Sequence, residues 1–137
     1  MEKPTQKFWE LRLQDCKDAL EKNNFEAFIA QTPAEAGQIV IDQILPEIDV
    51  KSVSWGDSLT LYETGVLAFF KDNPEINLIQ TFDANVSRQE IIERRRNALL
   101  TDLFFTGTNA VLESGALVNL DMVGNRVGAI VFGPRCV

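Results

Sequence analysis

Apolar residues recur along this chain with two alternating periods, one helical and one strand-like. In the first stretch Phe8, Trp9, Leu13, Cys16, Ala19 and Leu20 share one face of a helical wheel. That spacing predicts a helix from a Thr5 cap to about Lys22, with Cys16 as a small buried hydrophobe. Asn23-Asn24 suits the helix exit, because asparagine tolerates the left-handed conformation. "FEAFIA", Phe25 to Ala30, predicts a short strand. "TPAE" then sets Thr32 as N-cap, Pro33 at the first helical position and Glu35 in a capping box. The helix it opens should stop before Pro46.

The alternation continues downstream. "VKSVSW", Val50 to Trp55, predicts a strand, and "GDS" a turn into a helical stretch from about Leu59 to Phe70, interrupted at Gly65. "INLIQTF", Ile76 to Phe82, predicts the next strand, and "SRQE" a capped helix from Ser87 to about Leu100. Asp102 to Gly107, Ala116 to Leu120 and Arg126 to Phe132 read as three further strands, the last two joined by a hairpin at Gly124-Asn125. Strands alternating with helices predict an α/β fold: a three-layer, mainly parallel sheet, helices on both faces, and a C-terminal hairpin. No linker or repeat divides it, so residues 1–137 read as one domain. The stop after "FGPRCV" suggests a chain that is short at its C-terminus, with an uncovered sheet edge that favours dimerisation.

Charge and composition narrow the function. A net charge of -7 disfavours nucleic acid bound through its phosphates and anionic membrane surfaces. "MEKPTQKFWELRLQDCKDAL" has no apolar signal core and no stretch is long enough to span a bilayer, which implies a cytoplasmic protein. The "NVS" sequon at Asn85 is then irrelevant. Two cysteines and no histidine cannot supply an iron–sulfur cluster or structural zinc within one chain, so we expect no cofactor of its own. The missing histidine also excludes Ser-His-Asp and Cys-His nucleophiles. Neither a dinucleotide-binding G-x-G-x-x-G nor a Walker loop is present.

Three loops follow predicted strands: "WGDS", "TFDANVS" and "TGTNAVLESG". In open α/β sheets the carboxyl ends of strands carry the ligand site. Candidate ligand-binding residues are therefore Gly56, Asp57 and Ser58 in the first loop, and Thr106, Gly107, Thr108, Asn109, Ser114 and Gly115 in the third. Asn125, in the predicted hairpin turn, joins them. The same residue types also fill ordinary turns. Glu113 stands among small residues and is either a nucleophile or base, or a carboxylate that holds its turn. Arg95 falls within the apolar stripe of Ile91, Ile92, Ala98 and Leu99. A core-facing arginine needs an anion, either a structural partner such as Asp102 or Glu113 or a ligand.

The segment "RRRNALLTDLFFTGTNAVLESGALVNLDMVGNRVGAIVFGP", Arg94 to Pro134, resembles the LUD-domain family of lactate-utilisation proteins. "SWGDSLTLYETGV" is similar to the family's strand–turn–helix, and "TPAEAGQIVIDQI" fits more loosely. The resemblance implies a fold similar to the sugar-phosphate isomerase and CoA-transferase superfamily. It also implies a role in oxidising lactate to pyruvate beside iron–sulfur partner proteins. In that superfamily a loop glutamate can attack an acyl thioester, which makes Glu113 the candidate catalytic residue. The expected function is a binding or accessory component for a small organic acid or phosphorylated metabolite. The alternatives are an acyl-transfer or isomerase enzyme using Glu113, and a fragment that keeps only the fold and self-associates.

Overall fold

A computed structural model describes residues 3–137. They form two compact units: the residues through Gln31 with Thr108–Asn119, and Thr32–Gly107 with Leu120–Val137.

The first unit contains helix α1 (Pro4–Lys22). Pro4 occupies the first turn and no side chain caps it, so Thr5 lies inside the helix and is not its cap. The exit follows expectation: Asn24 takes φ 66, the Asn24 N–H bonds Glu21 O and the Phe25 N–H bonds Leu20 O, a Schellman closure. That closure uses Phe25, and the predicted strand Phe25–Ala30 does not form: among the described residues the segment joins no sheet. Phe8, Trp9 and Leu13 remain about half exposed and Cys16 is a free thiol of intermediate burial, not a core residue.

The second unit contains the sheet. Thr32 caps α2 (Pro33–Ile39), accepting from the Glu35 N–H at 3.1 Å. The helical path does not end before Pro46, as expected, but continues through a π-turn (Val40–Ile44) and a 3-10 turn (Leu45–Glu47). Pro46 fits there because the first turn of a helix leaves its N–H unused anyway. Strand β1 (Ser52–Trp55) leads to α3 (Leu59–Glu63) and α4 (Val66–Lys71), which part at Gly65, φ 77. Then come β2 (Asn77–Ile79), α5 (Arg88–Ala98) capped by Ser87, and β3 (Leu103–Phe105). The strands are parallel in the order β2-β1-β3, with Ser54 opposite Ile79 on one side and Phe104 on the other.

Strand alternation divides the core into two layers. Val53 and Leu103 pack with Val66 and Phe70 of α4 on one face. Phe104 packs with Ala98 of α5 and Ala129 on the other. The sheet is thus covered by helices on both faces, as the fold class predicts. The polar Ser54 is fully buried in this frame and is satisfied by donating to Ile79 O at 2.8 Å.

The C-terminal hairpin was misplaced. Arg126–Phe132 is not a strand: Asn125–Val131 forms helix α6. Gly124 takes φ 91 at its N-cap, and Asp121 Oδ2 accepts from the Arg126 and Val127 N–H groups at 2.8 and 3.0 Å, replacing the capping side chain that glycine lacks. The hairpin lies earlier, in the first unit, between β4 (Ala110–Val111) and β5 (Leu117–Val118). The sheet's next position, beside β3, is taken by a parallel bridge between Leu103 and Cys136.

Candidate functional site

The strand order fixes where a ligand crevice can lie. The connection from β1 to β2 crosses one face through α4, and the connection from β2 to β3 crosses the other through α5. The two connections therefore run in opposite directions along the sheet and cover opposite faces, and the switch point falls between the C-terminal ends of β1 and β3. Two of the predicted loops meet there. The Gly56 N–H bonds Phe105 O at 2.8 Å, carrying the strand pairing one residue past Trp55. A β-carbon on Gly56 would lie 3.2 Å from Thr106 Oγ1, and one on Gly107 would lie 3.1 Å from Ser58 Oγ. The two loops thus touch through glycine backbone on one side and a hydroxyl on the other.

Ser58 caps α3 by accepting from the Leu61 N–H at 3.3 Å, which leaves its own O–H to donate. Thr106 Oγ1 donates to Gly107 O at 3.0 Å. Asp57, between Gly56 and Ser58, is exposed. A residue the sequence reading placed in a strand completes the wall: Arg126 donates from Nη1 to Gly107 O at 3.1 Å and from Nη2 to Leu120 O at 2.8 Å. Its stem would lie 3.2 Å from a β-carbon on Gly56. Burial tends to raise the Asp121 carboxyl, but N–H bonds from Val127 and Arg126 and the Arg126 charge outweigh it, so its pKa falls below the ordinary aspartate value. The sequence signal for this arrangement is the Asp121-to-Gly124 spacing ahead of an apolar run, which reads as a helix start once the turn is assigned.

The second loop, "TFDANVS" after β2, is tied down internally. Asp83 accepts from the Asn85 N–H at 3.0 Å, and Arg94 reaches Asp83 at 3.4 Å, Gln80 O at 3.2 Å and Glu90 at 3.0 Å. The Asn85 bond first, and then the Arg94 guanidinium, hold the Asp83 carboxyl below its usual pKa despite some burial.

The remaining predicted residues fall into two other places. Thr108, Asn109, Glu113, Ser114 and Gly115 belong to the first unit, and Asn125 to the second. Glu113, Ser114 and Gly115 are the tip of the β4–β5 hairpin, with Gly115 at φ 76 in the left-handed position that such loops require. Thr108 Oγ1 donates to Val118 O at 3.0 Å and the Asn109 N–H bonds the same carbonyl at 3.1 Å, closing the hairpin's base. Glu113 is exposed and ion-paired with Arg12 of α1. Asn23 Nδ2 donates to Ser114 O and Gly115 O, each at 3.1 Å. A β-carbon on Gly115 would lie 2.6 Å from Ala19 C and O, so the close backbone approach this glycine permits is to α1.

Arg95 has neither expected partner. Asp102 accepts from the Lys51 N–H, the Ser52 N–H and the Ser52 hydroxyl at 2.9–3.0 Å, and pairs with Arg135 at 3.3 Å. These bonds, the Ser52 hydroxyl first, lower its pKa. Arg95 instead lines a cleft with Asn125. Among the described residues no three His, Cys, Asp or Glu side chains are grouped to hold a metal ion, and no helix is long and apolar enough to cross a membrane.

The sequence model of the LUD domain matches residues 13–137, a span that takes in both units. The chain belongs to the LUD-domain family. No match was found among curated proteins or among solved structures. Within this LUD domain the switch-point residues Gly56, Ser58, Thr106, Gly107 and Arg126 all fall inside the matched span.

Proposed function

We propose that this LUD-domain protein is a binding or accessory component for a small organic acid or phosphorylated metabolite in lactate utilisation, acting beside partner proteins that carry iron–sulfur clusters. The observation that carries the reading is the meeting of the β1 and β3 loops at the sheet's switch point, Gly56 against Thr106 and Ser58 against Gly107. The Ser58 hydroxyl supplies a donor, and the Arg126 guanidinium a positive charge fixed by two carbonyls. Neither group is a general base and the loop's carboxylate, Asp57, is exposed, which supports a crevice that holds an acid more than one that transforms it. Cytoplasmic location and a homodimer complete the reading.

A thermal-shift panel of 2-hydroxy acids, 2-oxo acids and sugar phosphates tests it, because a ligand that prefers the folded state raises the midpoint. A raised midpoint should disappear in Thr106→Val and persist in Glu113→Gln. Loss in Glu113→Gln with retention in Thr106→Val would instead favour an enzyme that uses the glutamate. No response to any compound removes the binding reading.

A further inference from the structure

Helix α5 carries three consecutive arginines, and they differ in how they are satisfied. Arg94 bonds Glu90 and Asp83, and Arg96 bonds Glu93 at 3.3 Å. Arg95 makes no hydrogen bond or ion pair with the described residues; its Nε is buried with no partner, and its Cζ stands 5.7 Å from the centroid of the Phe82 ring. A ring face attracts a cation but accepts no in-plane N–H bond, so these donors have no acceptor; the enclosed Nε admits no ligand, and the Nη1/Nη2 edge is the open fork. Leaving a buried charged donor unpaired is costly, and the usual remedy is a carboxylate or phosphate in the fork's plane.

Space for one lies beside it. Arg95 and Arg96, with Ile92 and the cap residue Leu99, face Val123, Gly124 and the first residue of α6, Asn125, across a cleft of about 310 Å³. That volume is near the small end of ligand sites. The cleft's charged lining is cationic and its remaining polar side chain is the Asn125 amide, with no carboxylate among the lining residues. Ile92, Leu99 and Val123 make the rest of the wall apolar. Arg96 is already paired with Glu93 and largely exposed, so one open fork is available. One fork and an apolar wall suit a monoanion with a hydrocarbon body better than a doubly charged phosphate.

We infer that the cleft between α5 and the turn before α6 binds a small monocarboxylate, its carboxylate held by the Arg95 fork and its carbon chain against Ile92, Leu99 and Val123. This site is separate from the β1–β3 crevice and stands whether or not that crevice binds a ligand.

The test is a two-dimensional 1H–15N titration of the full chain with acetate, butyrate, hexanoate and inorganic phosphate. The Arg95 Nε–H resonance should move saturably, with half-saturation falling about fourfold for each added CH2 that reaches the wall, and phosphate should bind more weakly than butyrate. In Arg95→Met, a substitution compatible with the helix's apolar stripe, the Asn125 side-chain amide should no longer respond to hexanoate. Arg95→Lys, which keeps the charge and loses the fork, should bind at least about fivefold more weakly. The inference is overturned if Arg95 Nε–H is unmoved by every carboxylate, if phosphate binds as tightly as butyrate or more so, or if Arg95→Met or Arg95→Lys binds hexanoate as wild type does. Shifts at Gly56, Ser58 or Thr106 report on the other site and leave this outcome unchanged.

Discussion

A β-carbon at Gly115 would meet the Ala19 backbone at 2.6 Å, in a residue already at φ 76. Gly115→Ala should therefore cost about 1–3 kcal/mol from overpacking and strain, read as an earlier urea midpoint by far-ultraviolet circular dichroism. The Gly-rich surroundings of Glu113 were visible in sequence as a loop. Their partner was not, because α1 contacts them from 101 and 91 positions away (Arg12 to Glu113, Asn23 to Ser114). Asp102 makes a second test at this scale. Its folded pKa lies below the unfolded value of about 3.9. Its contribution is thus fully present above that value and is lost as pH falls through the lower, folded pKa. Stability measured by denaturant titration should fall below about pH 4, and Asp102→Asn should lower stability at neutral pH while making the acid fall shallower.

Capping was the most legible information at the level of elements. Thr32 and Ser87 each accept the N–H three residues on, as their motifs predict. Short apolar runs were the least legible. "RVGAIVF" fits a buried strand or a helix equally well by length. A strand would place Val127, Ala129 and Val131 on one face, yet Ala129 is 1% exposed and Val131 76%. The helix buries Ala129 against Ala98 and Phe104 and brings Gly128 near Leu99. Its start depends on the Asp121 carboxylate, so Asp121→Ala should destabilise the second unit by about 0.5–2 kcal/mol, the range for loss of a helix cap. Amide exchange should show it, with α6 losing protection before β1. "FEAFIA" failed for a related reason: its β-propensity had no neighbouring strand to pair with, and its first residue closes α1.

For the whole molecule, alternation of strand and helix was enough to foresee a parallel sheet with helices on both faces, since a strand such as β1, with Val53, Ser54 and Trp55 all buried, must be covered twice. Alternation carries no information about strand order. The β2-β1-β3 order, and with it the switch point, came only from the structure. So did the separation of the candidate residues: Gly56, Ser58, Thr106 and Gly107 meet, Arg95 and Asn125 share a cleft, and Glu113 belongs with α1. The central claim is that the β1–β3 crevice holds a small acid. The most direct measurement follows the backbone amides of Gly56, Asp57, Ser58, Thr106 and Gly107 by NMR during addition of lactate, pyruvate and a sugar phosphate. The account predicts saturable shifts concentrated at these amides with at least one of the three. Amides that stay in place with all three at tens of millimolar (a concentration at which even affinities weaker than about 1 mM are visible), or shifts confined to the hairpin around Glu113, would contradict it.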